Sequence, residues 1–317
     1  MSNMVRRGSH VPYKEENVRV FLTGATGFIG SAIVHELIGA GHEVLGLARS
    51  DAGAAMLAAL GAEALRGDLE DLESLRHGAA TAEAVIHTAF NHDFSKYVAN
   101  CEADRHVIEA LGAVLAGSDR PLIVTSGTAM ANTASGDLAT EDALPLSSKI
   151  VPRAASEEAA AAVAARGGRV VVLRLPQVHD TTRHGLISYT IQIAREKGVA
   201  AYIGEGLNRW PAAHRLDTAQ LYRLALEKGD AGARYHAVAE EGVTMREIAE
   251  VIGRALKVPV VSLAPEESEA YFGWLAAFAG RDIPASSALT RDRLGWQPTG
   301  PGLIADLEQA QLTVAGL

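Results

Sequence analysis

Three glycines near the start of the chain have the spacing of a phosphate-binding turn. Gly24, Gly27 and Gly30 follow a predicted strand at 18–22 and precede an apolar helix pattern. The diphosphate of a dinucleotide lies almost against the backbone of such a turn, so a Cβ at Gly24 or Gly27 would obstruct it. A Cβ at Gly30 would push the helix away from the sheet, while the helix N-terminus offers N–H groups to phosphates. The other residues predicted to contact the dinucleotide here are Thr26, Phe28 and Ile29.

The residues after the second predicted strand indicate which dinucleotide binds. Ala48 is followed by Arg49 and Ser50, where a site for NAD usually carries Asp or Glu to hold the ribose hydroxyls. A guanidinium and a hydroxyl suit a 2′-phosphate, so we expect NADP(H) to be preferred. If Arg49 instead stacks on the adenine, NAD(H) would fit as well.

Short apolar segments alternate with amphipathic ones through the first half of the chain. The predicted strands are 18–22, 43–48, 62–66, 84–87, 121–125 and 169–175. The predicted helices between them are 29–40, 52–59, 72–79, 101–115 and 156–166. Strands separated by helices are typical of an α/β fold with a doubly wound parallel sheet, the Rossmann architecture. Such a sheet places the glycine turn and the other strand ends along one edge.

The sequence pattern changes after residue 178 and predicts a second, smaller α/β lobe, mostly C-terminal, that binds the substrate. We assign residues 18–178 to the dinucleotide-binding domain, with 208–240 returning to it, and 179–207 and 241–317 to the substrate lobe. Residues 1–17 are predicted to be a disordered extension or the remnant of an expression tag. Helices are predicted at 185–197, 218–227 and 244–255, the last with a capping box between Thr244 and Glu247.

A bulky apolar cluster stands out in the C-terminal lobe, and two interpretations of it remain open. Its members either pack helices together or form a lid over a flat apolar substrate. The cluster comprises Tyr271, Phe272, Trp274 and Phe278.

Composition restricts the partners of the protein. The net charge of −9 argues against nucleic acid and anionic membranes, because phosphate binding needs a basic face. No apolar run is long enough for a membrane span. Cys101 is the single cysteine, so no disulfide forms within the chain, which fits the cytoplasm. Histidines are scattered without zinc spacing, so no metal site is predicted, and the expected partner is a small-molecule substrate.

Six motifs in order give the chain a close likeness to a known family. It resembles the extended short-chain dehydrogenase/reductases of the NAD-dependent epimerase/dehydratase superfamily. The motifs are the glycine turn at 23–30, Gly67-Asp68-Leu69, Val85-Ile86-His87-Thr88-Ala89, Arg174-Leu175-Pro176, His214-Arg215-Leu216-Asp217 and Leu294-Gly295-Trp296-Gln297-Pro298. The further cofactor contacts that this resemblance implies are Asp68 and Leu69 at the adenine, Thr88, Ala89 and Phe90 along the ribose and diphosphate, and Thr125, Pro176 and Val178.

The catalytic signature of the family is altered. Its members carry a Ser or Thr after the fifth strand and a Y-x-x-x-K pair on the next helix. Here Arg153 stands at the tyrosine position and Glu157 at the lysine position, while Ser126 and Thr128 flank the glycine at the serine position. The chain is thus similar to the atypical branch, whose members bind the dinucleotide without the standard proton relay. The predicted catalytic residues are Ser126, Thr128 and Arg153.

Arg153 has two interpretations. Its pKa is too high for an acid, yet its guanidinium could stabilise an oxyanion. Alternatively it pairs with Glu157, one turn along the helix. The proton itself could come from several other groups, namely Tyr97, Lys149, a water molecule or an acidic group on the substrate.

Histidines near the strand ends also need an interpretation. His87 is predicted to be packed at a strand end. His214 and Asp217 could be an acid–base pair, but we favour a structural role in which Asp217 caps the helix that follows. His179 and His184 lie where substrate loops begin and could touch the nicotinamide or the substrate, or simply face solvent.

These residues predict an NAD(P)H-dependent ketoreductase. It would transfer hydride to a carbonyl of a small, aromatic, polyketide-like secondary metabolite without the usual tyrosine and lysine. Two alternatives remain: a sugar-nucleotide epimerase or dehydratase, and a dinucleotide-sensing regulator without turnover. Extended members of the family often pair through two long helices, here 101–115 and 156–166, so a homodimer is possible; the alanine-rich second helix could equally pack within a monomer.

Overall fold

Seven parallel strands form the central sheet of the protein. The computed structural model describes residues 17–131, 133–134 and 136–312. The strands are β1 Arg19–Thr23, β2 Glu43–Ala48, β3 Glu63–Arg66, β4 Ala84–His87, β5 Pro121–Gly127, β6 Arg169–Leu175, β7 Gln177–His179, β8 Ala200–Ile203, β9 Arg209–His214, β10 Arg234–His236, β11 Glu240–Thr244 and β12 Val260–Leu263. The central sheet has the order β10-β6-β5-β4-β1-β2-β3, so the direction of winding reverses between β1 and β4. A crevice opens at such a reversal, at the carboxyl ends of the strands.

Helices cover both faces of this sheet. They are α1 Phe28–Gly39, α2 Asp51–Ala59, α3 Leu72–Ala80, α4 Tyr97–Leu115, α5 Ala155–Ala165, α6 Ile187–Lys197, α7 Arg215–Lys228, α8 Met245–Leu256, α9 Ser268–Phe272, α10 Ala276–Ala279, α11 Ala288–Leu294 and α12 Leu303–Gln309. One face holds α1 and α7 over an apolar core that includes Ile33, Leu37 and Tyr222. The other face holds α3, α4 and α5 over Phe21, Leu111 and Val163. The predicted doubly wound fold is therefore confirmed.

Two smaller sheets belong to the second part of the molecule. Their strand orders are β11-β9-β7 and β12-β8. Around them, α6, α8 and α12 bury a separate apolar core that includes Trp210, Ile248 and Leu303. The segment 208–240 serves both parts, because β9 lies in a small sheet while β10 pairs with β6 in the large one. The exact domain boundaries stay a prediction, and residues 1–16 and 313–317 lie outside the described residues.

Most predicted elements of the first half are confirmed, and the errors lie at their ends. β2, β4 and β6 have the predicted bounds, whereas α4 begins at Tyr97, four residues before its predicted start. In the second half, the sequence pattern does not predict β7, β9, β11, β12, α11 or α12. These strands are short, and Pro211 interrupts the apolar pattern of β9, which obscures a strand in the sequence. The capping box of α8 is confirmed.

None of the helices within the described ranges has both the length and the apolar character needed to cross a bilayer.

Candidate active site

The glycine turn between β1 and α1 has two positions that exclude any side chain. Gly24 has a φ of +72°, and a Cβ there would lie 2.6 Å from Thr88 Oγ1 and 2.8 Å from the backbone nitrogen of Ala89. A Cβ on Gly30 would lie 2.0 Å from the carbonyl oxygen of Gly24. Glycine is therefore required at position 24 because the loop after β4 packs against it, as well as for access of a ligand. The sequence does not reveal this packing.

The third glycine leaves the helix N-terminus open. A Cβ on Gly27 would approach only the Gly24 oxygen, at 3.0 Å, so the remaining space beside it is free. Gly27 is the N-cap of α1 and has no side chain to satisfy the first N–H groups. By contrast, the Ser50 hydroxyl accepts from the backbone N–H of Gly53 at the start of α2, at 3.1 Å. An uncapped N-terminus beside open space fits the diphosphate of a dinucleotide.

Arg49, Ser50 and Asp68 meet at the carboxyl ends of β2 and β3, where an adenosine would lie. Arg49 is 81% exposed, and its Nε lies 4.0 Å from Asp68 Oδ2. Leu69 packs against the core beneath. Because Ser50 already caps α2, Arg49 is the residue of these three that can offer a positive charge to a ligand.

His87 at the end of β4 is buried and bonded on both ring nitrogens. Nδ1 lies 2.7 Å from Thr23 Oγ1, and Nε2 lies 2.9 Å from Oδ1 of Asp104 on α4. The predicted packed histidine is thus confirmed. Thr88, the next residue, donates through Oγ1 to the carbonyl oxygen of Thr23 at 2.8 Å. These bonds fix the loop that leads to Ala89 and Phe90.

Arg153 lies at the carboxyl end of β5. Its Nη1 donates to Asp104 Oδ2 at 2.7 Å and its Nη2 to the carbonyl oxygen of Thr125 at 3.1 Å. Its guanidinium carbon is 4.3 Å from the centre of the Phe90 ring. The Ser156 hydroxyl contacts both Arg153 and Asp104. The alternative in which Arg153 pairs with Glu157 is therefore wrong.

The charge of Asp104 holds this arginine in place. Burial raises the pKa of the Asp104 carboxyl, but the adjacent Arg153 and His87 outweigh burial and lower it below its usual value. Asp104 thus stays ionised and fully buried, while the Arg153 side chain is 15% exposed. The sequence does not point to Asp104, because nothing in its position on α4 distinguishes it from a surface carboxylate.

Glu157 forms a second ion-pair cluster, in which its carboxylate is completely buried. Its Oε1 accepts from Arg174 Nε and from the Ser126 hydroxyl, both at 2.7 Å. Its Oε2 accepts from Arg174 Nη2 at 2.8 Å and from Arg234 Nε at 3.2 Å. Burial raises the pKa of Glu157, but these bonds, chiefly those of Arg174, lower it overall. The residue at the family's lysine position is therefore a buried anion.

The predicted hydroxyls at the end of β5 are bonded within the protein. The Ser126 hydroxyl donates to Glu157, and Thr128 Oγ1 lies 3.5 Å from the carbonyl oxygen of Leu175. Thr125 Oγ1 donates to the His87 carbonyl oxygen at 2.7 Å and lies 2.6 Å from the Tyr222 hydroxyl. Of the three predicted catalytic residues, Arg153 is thus the one with a polar group partly exposed at this edge.

Pro176 and Val178 continue from β6 into β7 along the same edge. Lys149, another possible proton source, has an exposed side chain on the loop before α5.

An aromatic wall lies next to this region, defined by Phe94, Tyr97, Tyr189 and Trp274. Phe94, in the loop after β4, stacks on Trp274 with ring centres 4.2 Å apart and planes at 14°. Tyr189 meets both rings edge-on, at 5.9 and 5.0 Å. Tyr97 lies 5.7 Å from Phe94. The wall therefore joins the β4 loop to the second lobe.

The predicted C-terminal aromatic cluster divides between two roles. Phe272 is buried in the lobe, and the Tyr271 hydroxyl contacts the carbonyl oxygen of Val199, so these two pack helices. Trp274 is 43% exposed and forms the wall. The helix-packing interpretation is confirmed for Tyr271 and Phe272, and the lid stays a prediction that applies to Trp274.

Tyr97 begins α4, the helix that also carries Asp104. Burial and the neighbouring Cys101 thiol raise the pKa of Tyr97 to about 12. The phenol therefore stays protonated at neutral pH.

The remaining predicted histidines are buried, contrary to a solvated role. His179 Nδ1 lies 2.7 Å from Asp306 Oδ2 on α12. His184 has no hydrogen-bond partner on either ring nitrogen within the described residues, and burial lowers its pKa to about 4. His179 therefore ties the loop after β7 to α12.

The structural role of Asp217 is confirmed, but its predicted capping role is wrong. His214 is the N-cap of α7, and its Nδ1 accepts from the backbone N–H of Leu216 at 3.3 Å. Asp217 accepts instead from the backbone N–H groups of Thr299 and Gly300, at 3.0 and 2.9 Å. It fastens the C-terminal segment, because α7 begins three residues earlier than predicted.

The chain is similar in sequence to known proteins over nearly its whole length. The uncharacterized protein C2A9.02 of Schizosaccharomyces pombe is 50% identical over 291 residues, covering 92% of this chain and 98% of that protein. The uncharacterized protein YLL056C of Saccharomyces cerevisiae is 45% identical over 294 residues, with the same two coverages. A 2-alkyl-3-oxoalkanoate reductase of Stenotrophomonas maltophilia is 26% identical over 271 residues, 80% of each chain.

The fold is shared with solved enzyme structures. The UDP-glucose 4-epimerase of Thermus thermophilus, solved in complex with NAD, superimposes with a TM-score of 0.72 at 21% identity, covering 94% of this chain and all of that one. The sequence profile of the NAD dependent epimerase/dehydratase family matches residues 20–239. With its glycine turn, parallel sheet and strand-end loops in the order described, the chain belongs to the NAD dependent epimerase/dehydratase family.

Proposed function

We propose that this protein is an NADPH-dependent ketoreductase that reduces a small aromatic carbonyl compound. The observation that carries the proposal is the position of Arg153. Its guanidinium is partly exposed at the carboxyl end of β5, held by Asp104 and by the Thr125 carbonyl oxygen. Because Arg153 also stands at the family's tyrosine position in the sequence, its partial exposure supports contact with a substrate oxygen.

The cofactor, when bound, supplies the hydride. The glycine turn and the open N-terminus of α1 would hold its diphosphate. Arg49, exposed beside Ser50 and Asp68, would bind a 2′-phosphate through charge-assisted hydrogen bonds, which supports NADPH over NADH. The Asp68 carboxylate, 4.0 Å from Arg49, keeps the guanidinium near the adenosine.

Arg153 would act on the carbonyl oxygen of the substrate. A guanidinium cannot release its proton at neutral pH, so its contribution is to bind the oxygen and stabilise the negative charge that develops there. Asp104 and Thr125 fix the orientation of the group before the substrate arrives, so little reorganisation is needed in the transition state. Phe90, 4.3 Å below, shields the other face of the guanidinium from water.

The proton would come from the Tyr97 phenol, from water or from an acidic group on the substrate. With a pKa raised to about 12, Tyr97 can donate a proton at neutral pH but cannot accept one as a base. The replacement of the family's tyrosine by Arg153 weighs against sugar-nucleotide epimerisation, because that chemistry relies on this tyrosine in the family.

The aromatic wall supports a flat, apolar substrate. Trp274 presents a partly exposed ring, and Phe94 and Tyr189 enclose it from two directions. Flat rings pack well against such surfaces. The relative from Stenotrophomonas maltophilia is a reductase of a 3-oxo acid, which supports the reduction of a ketone by this chain as well.

A second candidate is a sensor that binds the dinucleotide without turnover. It is favoured by the Glu157 cluster, where Ser126, next to the family's serine position, and Glu157, at its lysine position, serve a buried ion pair. A sensor needs only the glycine turn and the adenosine residues.

One experiment separates these functions. NADPH absorbance is followed with a panel of aromatic ketones, and NADPH affinity is measured by calorimetry on the same sample. Turnover supports the reductase, whereas tight binding without consumption of NADPH by any ketone supports the sensor. Conversion of a UDP-sugar with no net change in absorbance would point to the epimerase.

A further inference from the structure

Two arginines from distant parts of the chain flank the first residue of α1. The guanidinium carbon of Arg215 lies 4.9 Å from the centre of the Phe28 ring, and that of Arg183 lies 5.9 Å from it. Arg215 begins α7, and Arg183 lies in the loop between β7 and α6. Both side chains therefore come to the helix end that follows the glycine turn.

Arg215 is fixed in its position. Its Nη2 donates to the hydroxyl of Ser31, in the first turn of α1, at 2.8 Å. Its Nη1 donates to Asp180 Oδ2 at 3.3 Å. Its Nε is buried and has no hydrogen-bond partner within the described residues. Arg215 thus links α1 to the loop after β7 and retains an unused donor.

Arg183 has an exposed side chain on a firmly held turn. The backbone N–H of Arg183 donates to Asp180 Oδ1 at 3.0 Å, and its carbonyl oxygen accepts from the Asp180 N–H at 2.9 Å. The loop is anchored at its far end by the Leu186 N–H, which donates to Gln177 Oε1 at 2.8 Å. Across residues 17–131, 133–134 and 136–312, the Arg183 guanidinium forms no ion pair, so its charge is not neutralised by a carboxylate.

The Arg183 charge is available to an anion, because the side chain is exposed and forms no ion pair with the described residues. Asp180 lies on the same turn, but its carboxylate accepts from Arg215 and from the Thr182 backbone and hydroxyl, the last two both at 2.6 Å. Burial raises the pKa of Asp180, but these bonds outweigh burial and lower it, so its charge is offset locally. A helix N-terminus and a free guanidinium together attract a doubly charged diphosphate.

We propose that Arg183 and Arg215 form a clamp on the dinucleotide diphosphate at the N-terminus of α1. Arg183 binds the phosphate oxygens directly, and Arg215 positions the loop that carries Arg183. The clamp rests on the dinucleotide binding of the proposed function but not on reduction of a ketone. It holds the loop after β7 over the bound dinucleotide.

The test compares ligands with and without the diphosphate. Calorimetry gives the Kd of NADP⁺ and of adenosine 2′-monophosphate for the wild type, Arg183→Ala, Arg49→Ala and Arg246→Ala. Arg246 is the matched control, because its guanidinium lies 5.2 Å from the Tyr202 ring, outside the site. Arg183→Ala should raise the Kd of NADP⁺ about tenfold and leave that of adenosine 2′-monophosphate within about twofold. Arg49→Ala should weaken both ligands, and Arg246→Ala neither.

The outcomes separate the clamp from the proposed function. If Arg183→Ala binds NADP⁺ as the wild type does, or weakens both ligands equally, the clamp is wrong and the proposed function stands. If NAD⁺ binds the wild type more tightly than NADP⁺ does, the proposed preference for NADPH is wrong. The clamp is then tested by the same comparison with NAD⁺ and adenosine as the two ligands. If the wild type binds neither dinucleotide, both proposals fail.

Discussion

Arg153 and Glu157 lie one helical turn apart and carry opposite charges, yet each belongs to a different cluster. The Arg153 cluster comprises Arg153, Asp104, Ser156 and His87, and it leaves the guanidinium partly exposed at the sheet edge. The Glu157 cluster comprises Glu157, Arg174, Arg234, Ser126 and His236, and its carboxylate is completely buried. In the first cluster the residue at the family's motif position is a partly exposed cation, whereas in the second it is an enclosed carboxylate.

The difference shows how a catalytic pair can be replaced by two unrelated structures. A buried carboxylate is tolerated when every lone pair is satisfied, as the four bonds to Glu157 achieve. One of these bonds uses the proton of the Ser126 hydroxyl, which is therefore not free to donate to a substrate. Arg153 is oriented by a buried anion but is not enclosed by it, so it remains able to contact a substrate. Position in the family motif alone would have assigned both residues to catalysis.

Arg174→Met should have the largest effect on the stability of the protein. It leaves the Glu157 carboxylate buried with Arg234 as its main remaining cation, and breaking a buried pair in this way costs about 3–5 kcal/mol. The free energy of unfolding from urea denaturation measures it. Arg254→Met, which breaks the exposed pair with Glu308, should change the same quantity by less than about 1 kcal/mol. Equal losses in the two variants would contradict the contrast between buried and exposed pairs.

Arg153→Met should act on turnover more than on cofactor binding. Loss of one preorganised donor to a developing oxyanion lowers kcat by about 10²–10³-fold. The Kd of NADPH should change less, because the glycine turn and Arg49, which would hold the diphosphate and the 2′-phosphate, do not contact Arg153. Arg223→Met, which removes an arginine paired with Glu36 and Glu227, is the control and should leave kcat intact. An Arg153→Met enzyme with unchanged kcat would mean that the Arg153 cluster, too, is only structural.

His236 makes the Glu157 cluster sensitive to acid. Its Nε2 accepts from Arg174 at 3.4 Å and its Nδ1 donates to the Ser286 carbonyl oxygen at 2.8 Å, which requires the neutral ring. Burial, and then the charge of Arg174, lower its pKa to about 4. The unfolded chain, with a histidine pKa of about 6.5, binds more protons between these values. Stability is therefore fully present above about pH 6.5 and falls towards pH 4, by up to about 1.4 kcal/mol per pH unit.

Denaturation curves at several pH values test this. His236→Gln should flatten the dependence in that range, whereas the same change at the exposed His35 should not. If the slopes of the two variants match that of the wild type, His236 is not the titrating group.

Arg49→Ala extends the comparison to a pair that is almost fully in solvent. Because Arg49 is 81% exposed, its loss should leave the free energy of unfolding within about 0.5 kcal/mol. It should weaken NADPH by about 1.5–3 kcal/mol through loss of charge-assisted hydrogen bonds, and NADH much less. Kd values for both cofactors measure the difference. Equal weakening of NADPH and NADH would refute the proposed preference for the 2′-phosphate.

Much of the first half of the fold could be predicted from local pattern. Strands buried on both sides give continuous apolar runs, and the bounds of β2, β4 and β6 follow from them. The second half was harder, since β7 has three residues and β9 carries Pro211. Asp104 and Arg234 are missing from the predicted site because their partners are far away in the chain. The pairing of Arg153 with the nearest opposite charge, Glu157, is a prediction that proved wrong.

The sequence by itself determined the glycine turn, the parallel sheet and the loss of the tyrosine and lysine, because each depends on residue type at a short, fixed spacing. Only the tertiary structure decided which charges are buried and which can meet a ligand. Ion pairing depends on distances between side chains from separate strands and helices, and packing of α4 and α5 over the sheet brings Asp104 to Arg153 and Arg174 to Glu157. As a result, the Glu157 carboxylate is buried in the core, while the Arg153 guanidinium is partly exposed at the edge of the sheet.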